Sequence, residues 1–141
     1  MMSIKYFSED VSFPEPKKRR TTDWIKSIIG AEGKKCGSIS FIFCSDEYLL
    51  EMNKKYLNHD YYTDIITFDD VEGDLINGDI FISVDRILEN SNVFNTTFEN
   101  ELCRILAHGV LHLLGYKDKN AKDKKVMKFK EDYYLKLLMD K

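Results

Sequence analysis

Two histidines four residues apart, a glycine three further on and an aspartate three beyond it are the residues best spaced for chemistry in this chain. They are His108, His112, Gly115 and Asp118, in the run HGVLHLLGYKD. On a helix, a separation of four puts two side chains on one face, about 6 Å apart along the axis. Two imidazoles so placed can grip one divalent ion. Gly115 can end the helix in a left-handed turn, after which the chain doubles back and delivers Asp118 as a third ligand. Three protein ligands leave a fourth position for water, the arrangement of a catalytic rather than a structural zinc site. The plainer alternative is a pair of buried histidines bonded to the backbone, with Asp118 a turn residue. The glycine and carboxylate at this spacing weigh toward the metal.

Gly109 follows the first histidine. Zinc peptidases of the H-E-x-x-H pattern carry their general base at that position. A peptidase mechanism therefore loses its base here. Metal-assisted hydrolysis of another bond survives, because a bound ion lowers the pKa of its water toward neutrality.

The elements that must position these side chains can be read from pattern. Residues 105–116 contain no Asp, Glu, Lys or Arg. Leu102, Leu106, Val110 and Leu113 fall on one side of a helix of period 3.6, so the histidine helix is mostly buried. Thr96 with Glu99 reads as a capping box at its start, and Gly115 as its stop. Residues 4–7, 38–44, 64–69 and 79–84 read as strands, the last two joined by an acidic stretch over 70–78. A helix through Trp24, Ile25, Ile28 and Ile29 is expected, capped by Thr21-Thr22-Asp23 and stopped at Gly30 or Gly33. A second, capped by Ser45 or Asp46, carries Tyr48, Leu49, Met52 and Tyr56. Two more are expected over about 84–92 and 121–139. Strands and helices mix without strict βαβ alternation, so the fold class is α+β: a small mixed sheet of about four strands packed with helices, around a zincin-like histidine helix.

At 141 residues with 43% hydrophobic and 32% charged side chains, the chain suits one domain, residues 1–141, with a real core; collagen-like and low-complexity readings fail, and no internal repeat is visible. Three cysteines without a C-x-x-C pair speak against a secreted disulfide scaffold and for a reducing compartment. The first residues lack an apolar signal-peptide core, and the uncharged run 105–116 is too short to span a bilayer. A cytoplasmic protein with no membrane partner is expected.

The net charge of −3 conceals a segregation: residues 46–101 hold 14 acidic and 3 basic side chains, residues 102–141 hold 5 acidic and 10 basic. An acidic middle and a basic end can attract metal cations and phosphates separately; solvated helix faces are the plainer alternative.

The HGVLHLLGYKD run closely resembles the signature of the YbeY endoribonuclease family, H-G-x-L-H-L-x-G-Y-D-H. Residues 53–68, NKKYLNHDYYTDIITF, are similar to its N-x-x-Y-R-x-x-D-x-P-T-D-V-L-S-F block, and Gly78-Asp79-Ile80 through Ser83 to its G-D-I-x-I-S strand. The three blocks run through more than half the chain in the family's order. The resemblance implies a metal-dependent, single-strand-specific endoribonuclease holding one Zn2+ per chain. It further implies action at the 3′ end of 16S ribosomal RNA and in ribosome quality control, with RNA and the small ribosomal subunit as partners; it sets no oligomeric state. By position His108 and His112 are the first two ligands and, through the metal's water, the catalytic groups. Asp118 stands where the family has a third histidine.

Two departures matter. Asp118 brings a negative charge that makes the bound water less acidic. Leu57 stands where the family commonly has an arginine, removing a cation that could hold a phosphate. Lys54 and Lys55 are candidates to bind substrate in its place, and His59 to bind phosphate or transfer a proton. Two rival readings remain: a hydrolase of another substrate such as peptide, and a non-catalytic ribosome-associated assembly factor with a structural metal.

Asp64, after Thr63, and Asp79, after Gly78, read as capping and turn residues, or as contacts to a ligand histidine. The run Lys17-Lys18-Arg19-Arg20 and the lysines between 117 and 130 are solvated surface unless they flank the metal cleft, where they would grip an RNA backbone. Tyr61 and Tyr62 could stack on bases. Phe68, Trp24 and Cys103 read as core.

Overall fold

The computed structural model describes residues 3–12, 17–58 and 63–139. In chain order its elements are β1 (Ser3–Ser8), α1 (Lys18–Ala31), β2 (Lys35–Cys44), α2 (Asp46–Tyr56), β3 (Ile65–Asp69), β4 (Leu75–Ser83), α3 (Val84–Val93), α4 (Phe98–Leu113) and α5 (Ala121–Met139). The strands form one sheet in the order β1-β2-β4-β3. β2 lies parallel to β1 and to β4, while β3 pairs antiparallel with β4. This is the mixed four-stranded α+β architecture expected from the sequence.

Alternation along the strands loads both faces of the sheet. Ile39, Phe41 and Phe43 of β2 and Ile76, Ile80 and Ile82 of β4 meet Trp24, Ile25, Ile28 and Ile29 of α1 and Leu102, Leu106 and Val110 of α4 in the main core. Cys44 and Ile66 pack with Leu49 of α2 on the other face, joined by Phe68 and Phe81. Trp24 is buried and donates from Nε1 to the Tyr134 carbonyl at 2.8 Å, so its polar edge is satisfied inside the core. Cys103 is buried in the same core.

Several boundaries differ from the expectation. α1 begins at Lys18, with no side-chain cap at Lys17, so Thr21-Thr22-Asp23 lie inside it and Thr21 is buried. Tertiary ties replace the cap: Arg20 donates to the Leu138 carbonyl at 2.9 Å. That contact uses Arg20 of the basic run to dock α5. The N-cap of α4 is Thr97, one residue after Thr96, and its hydroxyl accepts the Asn100 N–H at 3.0 Å. β4 begins at Leu75, inside the stretch read as an acidic connection, because Leu75 and Ile76 pair with Lys35 and Cys36 of β2. Asp79 is therefore exposed in mid-strand and occupies no turn. Ser45 caps α2 by accepting the Tyr48 N–H at 3.1 Å, as expected.

Among the described residues no helix is long and apolar enough to cross a membrane.

Candidate metal centre

The end of α4 places the site. Gly115 takes φ +104°, a conformation that side-chain-bearing residues rarely adopt. It allows the Gly115 N–H to bond the His112 carbonyl and the Tyr116 N–H to bond the Leu111 carbonyl, both at 3.0 Å. These two bonds make a Schellman turn. The turn brings the Tyr116 carbonyl to 3.0 Å from His112 Nδ1, which donates to it. The same glycine thus ends the helix and orients one imidazole.

His108 is oriented from another element. Its Nδ1 lies 2.6 Å from Glu131 Oε2 on α5, a carboxylate only 7% exposed. Arg104, one turn earlier on α4, donates to Glu131 Oε1 at 3.0 Å and to Asp132 at 2.7 Å. With both Nδ1 atoms engaged, the two Nε2 atoms face each other at 2.9 Å. A proton on one of them, or a bound cation between them, satisfies that approach. Asp118 completes the cluster: one donor atom from each of His108, His112 and Asp118 lies within 4.8 Å of the other two. Two neutral imidazole nitrogens and one carboxylate oxygen suit a divalent transition metal such as zinc.

The electrostatics agree with a cation-seeking site. Burial disfavours charge on His108, but the Glu131 carboxylate, with Asp64 and Asp118, outweighs it and holds its pKa above the ordinary imidazole value. His112 is held below that value, by burial first and then by the neighbouring His108. Burial also pushes the Asp64 carboxyl up, against the pull of His108. Asp64 lies at the start of β3 and lines the clefts that reach His108. Asp79 lines neither of those clefts.

The remaining candidates fall elsewhere. Lys54 pairs with Glu51 at 3.7 Å and Lys55 lies 5.2 Å from the Tyr56 ring centroid; neither lines the clefts that open on His108 or His112. Leu57 caps the C-terminus of α2 and is 42% exposed, so no packing demand is met there by losing an arginine. His59, Tyr61 and Tyr62 lie outside the described residues. Lys117 and Lys119 line the cleft beside His112, and Lys124 and Lys128 the cleft beside His108.

Sequence reasoning missed Glu131. Its signal was present: Met127, Glu131, Tyr134, Leu135 and Leu138 are the buried positions of α5, and a single carboxylate on an apolar stripe marks a partnered charge.

Gly109 explains its own identity. A Cβ there would stand 3.0 Å from Ile65 Cδ1 and from Ile80 Cγ2, so the position faces the sheet and not the histidine pair. A glutamate at this position would have to displace both isoleucines.

Residues 4–139 match the family described as Endoribonuclease YbeY. The chain belongs to the YbeY family. Endoribonuclease YbeY of Parabacteroides distasonis is 48% identical over 137 residues, covering 97% of this chain and 96% of its own. Endoribonuclease YbeY of Bacteroides fragilis is 49% identical, with 93% and 94% covered. The solution structure of TM1509 from Thermotoga maritima matches with a TM-score of 0.68 at 27% identity, over 96% of this chain and 89% of that one. In this member of the YbeY family the run HGVLHLLGYKD lies on α4 and on the turn that follows it.

Proposed function

We propose that this chain is a zinc-dependent, single-strand-specific endoribonuclease of ribosomal RNA maturation, acting at the 3′ end of 16S rRNA and in ribosome quality control. One cytoplasmic domain would carry the whole activity, with RNA as substrate and the small ribosomal subunit as partner. Membership of a family whose members are named endoribonuclease supports the reaction class.

The observation that carries the metal is the pair of Nε2 atoms at 2.9 Å with both Nδ1 atoms already engaged. His108, His112 and Asp118 would hold the ion. A divalent ion there supplies Lewis acidity for a phosphodiester oxygen and acidifies water at neutral pH. The chain's own residues do the rest. Glu131 and the Tyr116 carbonyl keep the two imidazoles in the tautomer that presents Nε2. Asp64 sits beside His108 with its pKa raised, a candidate to hold or pass a proton during cleavage.

Elemental analysis of protein purified without chelator or affinity metal tests this reading, together with cleavage of a single-stranded RNA spanning the 16S 3′ end. The expected result is about one zinc per chain and chelator-sensitive cleavage, both lost in Asp118→Ala. Protein that takes up no zinc, or zinc-loaded protein that leaves the RNA intact, overturns it.

A further inference from the structure

A cleft of about 640 Å³ runs from His108 and Asp118 outward between α4, α5 and the turn that joins α3 to α4. We propose that it seats the nucleotide next to the scissile phosphate, with its base stacked on the Phe94 ring and the adjoining phosphates held by Lys124 and Lys128. This rests on the endoribonuclease reading and adds to it the residues that hold the RNA.

Phe94 is the first support. It caps the C-terminus of α3 and is 67% exposed, and among the described residues it stacks on no other ring. The ring is not on a slack loop. The Phe94 N–H bonds the Asn90 carbonyl at 2.9 Å, the Thr96 N–H bonds the carbonyl of buried Ser91 at 2.9 Å, and Asn95 between them takes φ 52°. A large apolar ring fixed in water at the lip of a cleft is a platform for a flat partner, and every base has a π-face.

The same cleft supplies cations. Lys124 and Lys128 are exposed and one helical turn apart on α5, so both point along the same face. Neither makes an ion pair among the described residues, whereas Arg104 of the same cleft is committed to Glu131 and Asp132. The cleft also holds three acids, Glu101, Asp118 and Glu131. Glu131 is bound to His108 and Arg104, Asp118 belongs to the metal cluster, and Glu101 is buried. An aromatic platform in one cleft with two lysines that make no ion pair among the described residues is the pairing that holds a single strand without reading its sequence. Thr96 and Asn100, in the lining of the same cleft, offer polar atoms to a base edge.

The test is fluorescence anisotropy with a labelled 2′-O-methyl RNA oligonucleotide, shown intact after the titration, on the zinc-loaded full chain. Phe94→Ala should bind about 5- to 100-fold more weakly, and Phe94→Tyr should restore the affinity. Lys124→Ala/Lys128→Ala should flatten the dependence of log K on log salt by about 1.4, the share of two phosphate contacts on a single strand. Zinc content and melting temperature, read on the same samples, should match the wild type. Wild-type affinity and salt slope in these variants, with a wild type that binds and cleaves RNA, overturns the cleft assignment alone. A zinc-loaded wild type that neither binds nor cleaves RNA overturns the endoribonuclease reading, and this inference with it.

Discussion

Glu131 Oε2 stands 2.6 Å from His108 Nδ1, joining the middle of α5 to the second half of α4 across a separation of 23 residues. The contact does two things. It holds the imidazole as the tautomer whose Nε2 faces His112, and with Arg104 on Glu131 Oε1 it clamps the two helices together.

Glu131→Gln keeps the shape of that side chain and removes its charge. Zinc affinity, measured by competition with a chromogenic chelator, should fall about 10- to 100-fold while the fold persists. Glu131→Ala should also lower stability, by about 1.5–3 kcal/mol, because Arg104 and His108 both lose a charged hydrogen-bond partner and Arg104 keeps only Asp132. An unchanged zinc affinity in both variants would show that Glu131 only fastens the helices.

Gly109 lets α4 lie directly on the sheet. In Gly109→Ala the new methyl meets Ile80, which is fully buried and cannot yield, and Ile65 beside it. Overpacking costs about 1–3 kcal/mol and better helix propensity returns about 1, so the net loss should be about 1 kcal/mol. The urea midpoint measures it. A stabilised variant would mean that α4 sits less tightly on β3 and β4 than described.

Glu32 ties the site's loop to the fold. It accepts hydrogen bonds from Tyr116 Oη at 2.5 Å, from Lys130 Nζ at 3.1 Å and from the Tyr134 hydroxyl. Burial works against its charge, but these three donors outweigh it and hold its carboxyl below the ordinary range. The folded state therefore binds this proton less readily than the unfolded chain. Its contribution is complete above an ordinary carboxylate pKa of about 4, and is lost as pH falls through the lower folded value. Glu32→Gln should cost about 1.5–3 kcal/mol at pH 7, and the difference from wild type should shrink below about pH 4. Parallel urea titrations at the two pH values decide it; a gap that widens in acid would reverse the assigned direction.

The three cysteines should be silent toward thiol reagents in the native protein. All are buried and unpaired with one another. Burial pushes the Cys44 thiol up to about 12 and Cys103 up to about 11, and raises Cys36 as well. At pH 8 almost no thiolate is present. Ellman's reagent should give no prompt colour with folded protein and three equivalents in guanidinium. Rapid labelling of the native chain would place one of these thiols at the surface.

Much of the site was legible because its grammar is local. The histidine spacing, the charge-free stretch around it and the glycine that stops the helix all act within a few turns, where period and cap chemistry decide the backbone. The same holds for Ser45 and α2. Where tertiary pairing overrides local preference, the reading slipped. Leu75 and Ile76 are strand because β2 lies alongside them, and α1 starts at Lys18 because Arg20 and Thr21 are held from outside the helix.

The sequence by itself determined that His108, His112 and Asp118 would share one end of one buried helix, since a helix and its stop signal are set by nearest neighbours. Only the tertiary structure decided what surrounds them: Glu131 behind His108, Asp64 beside it, Ile65 and Ile80 beneath Gly109, and Phe94 in one cleft with Lys124 and Lys128. Those partners come from four separate elements. Burial of the apolar faces of the sheet and helices brings them together, and that packing has no period along the chain from which it could be read.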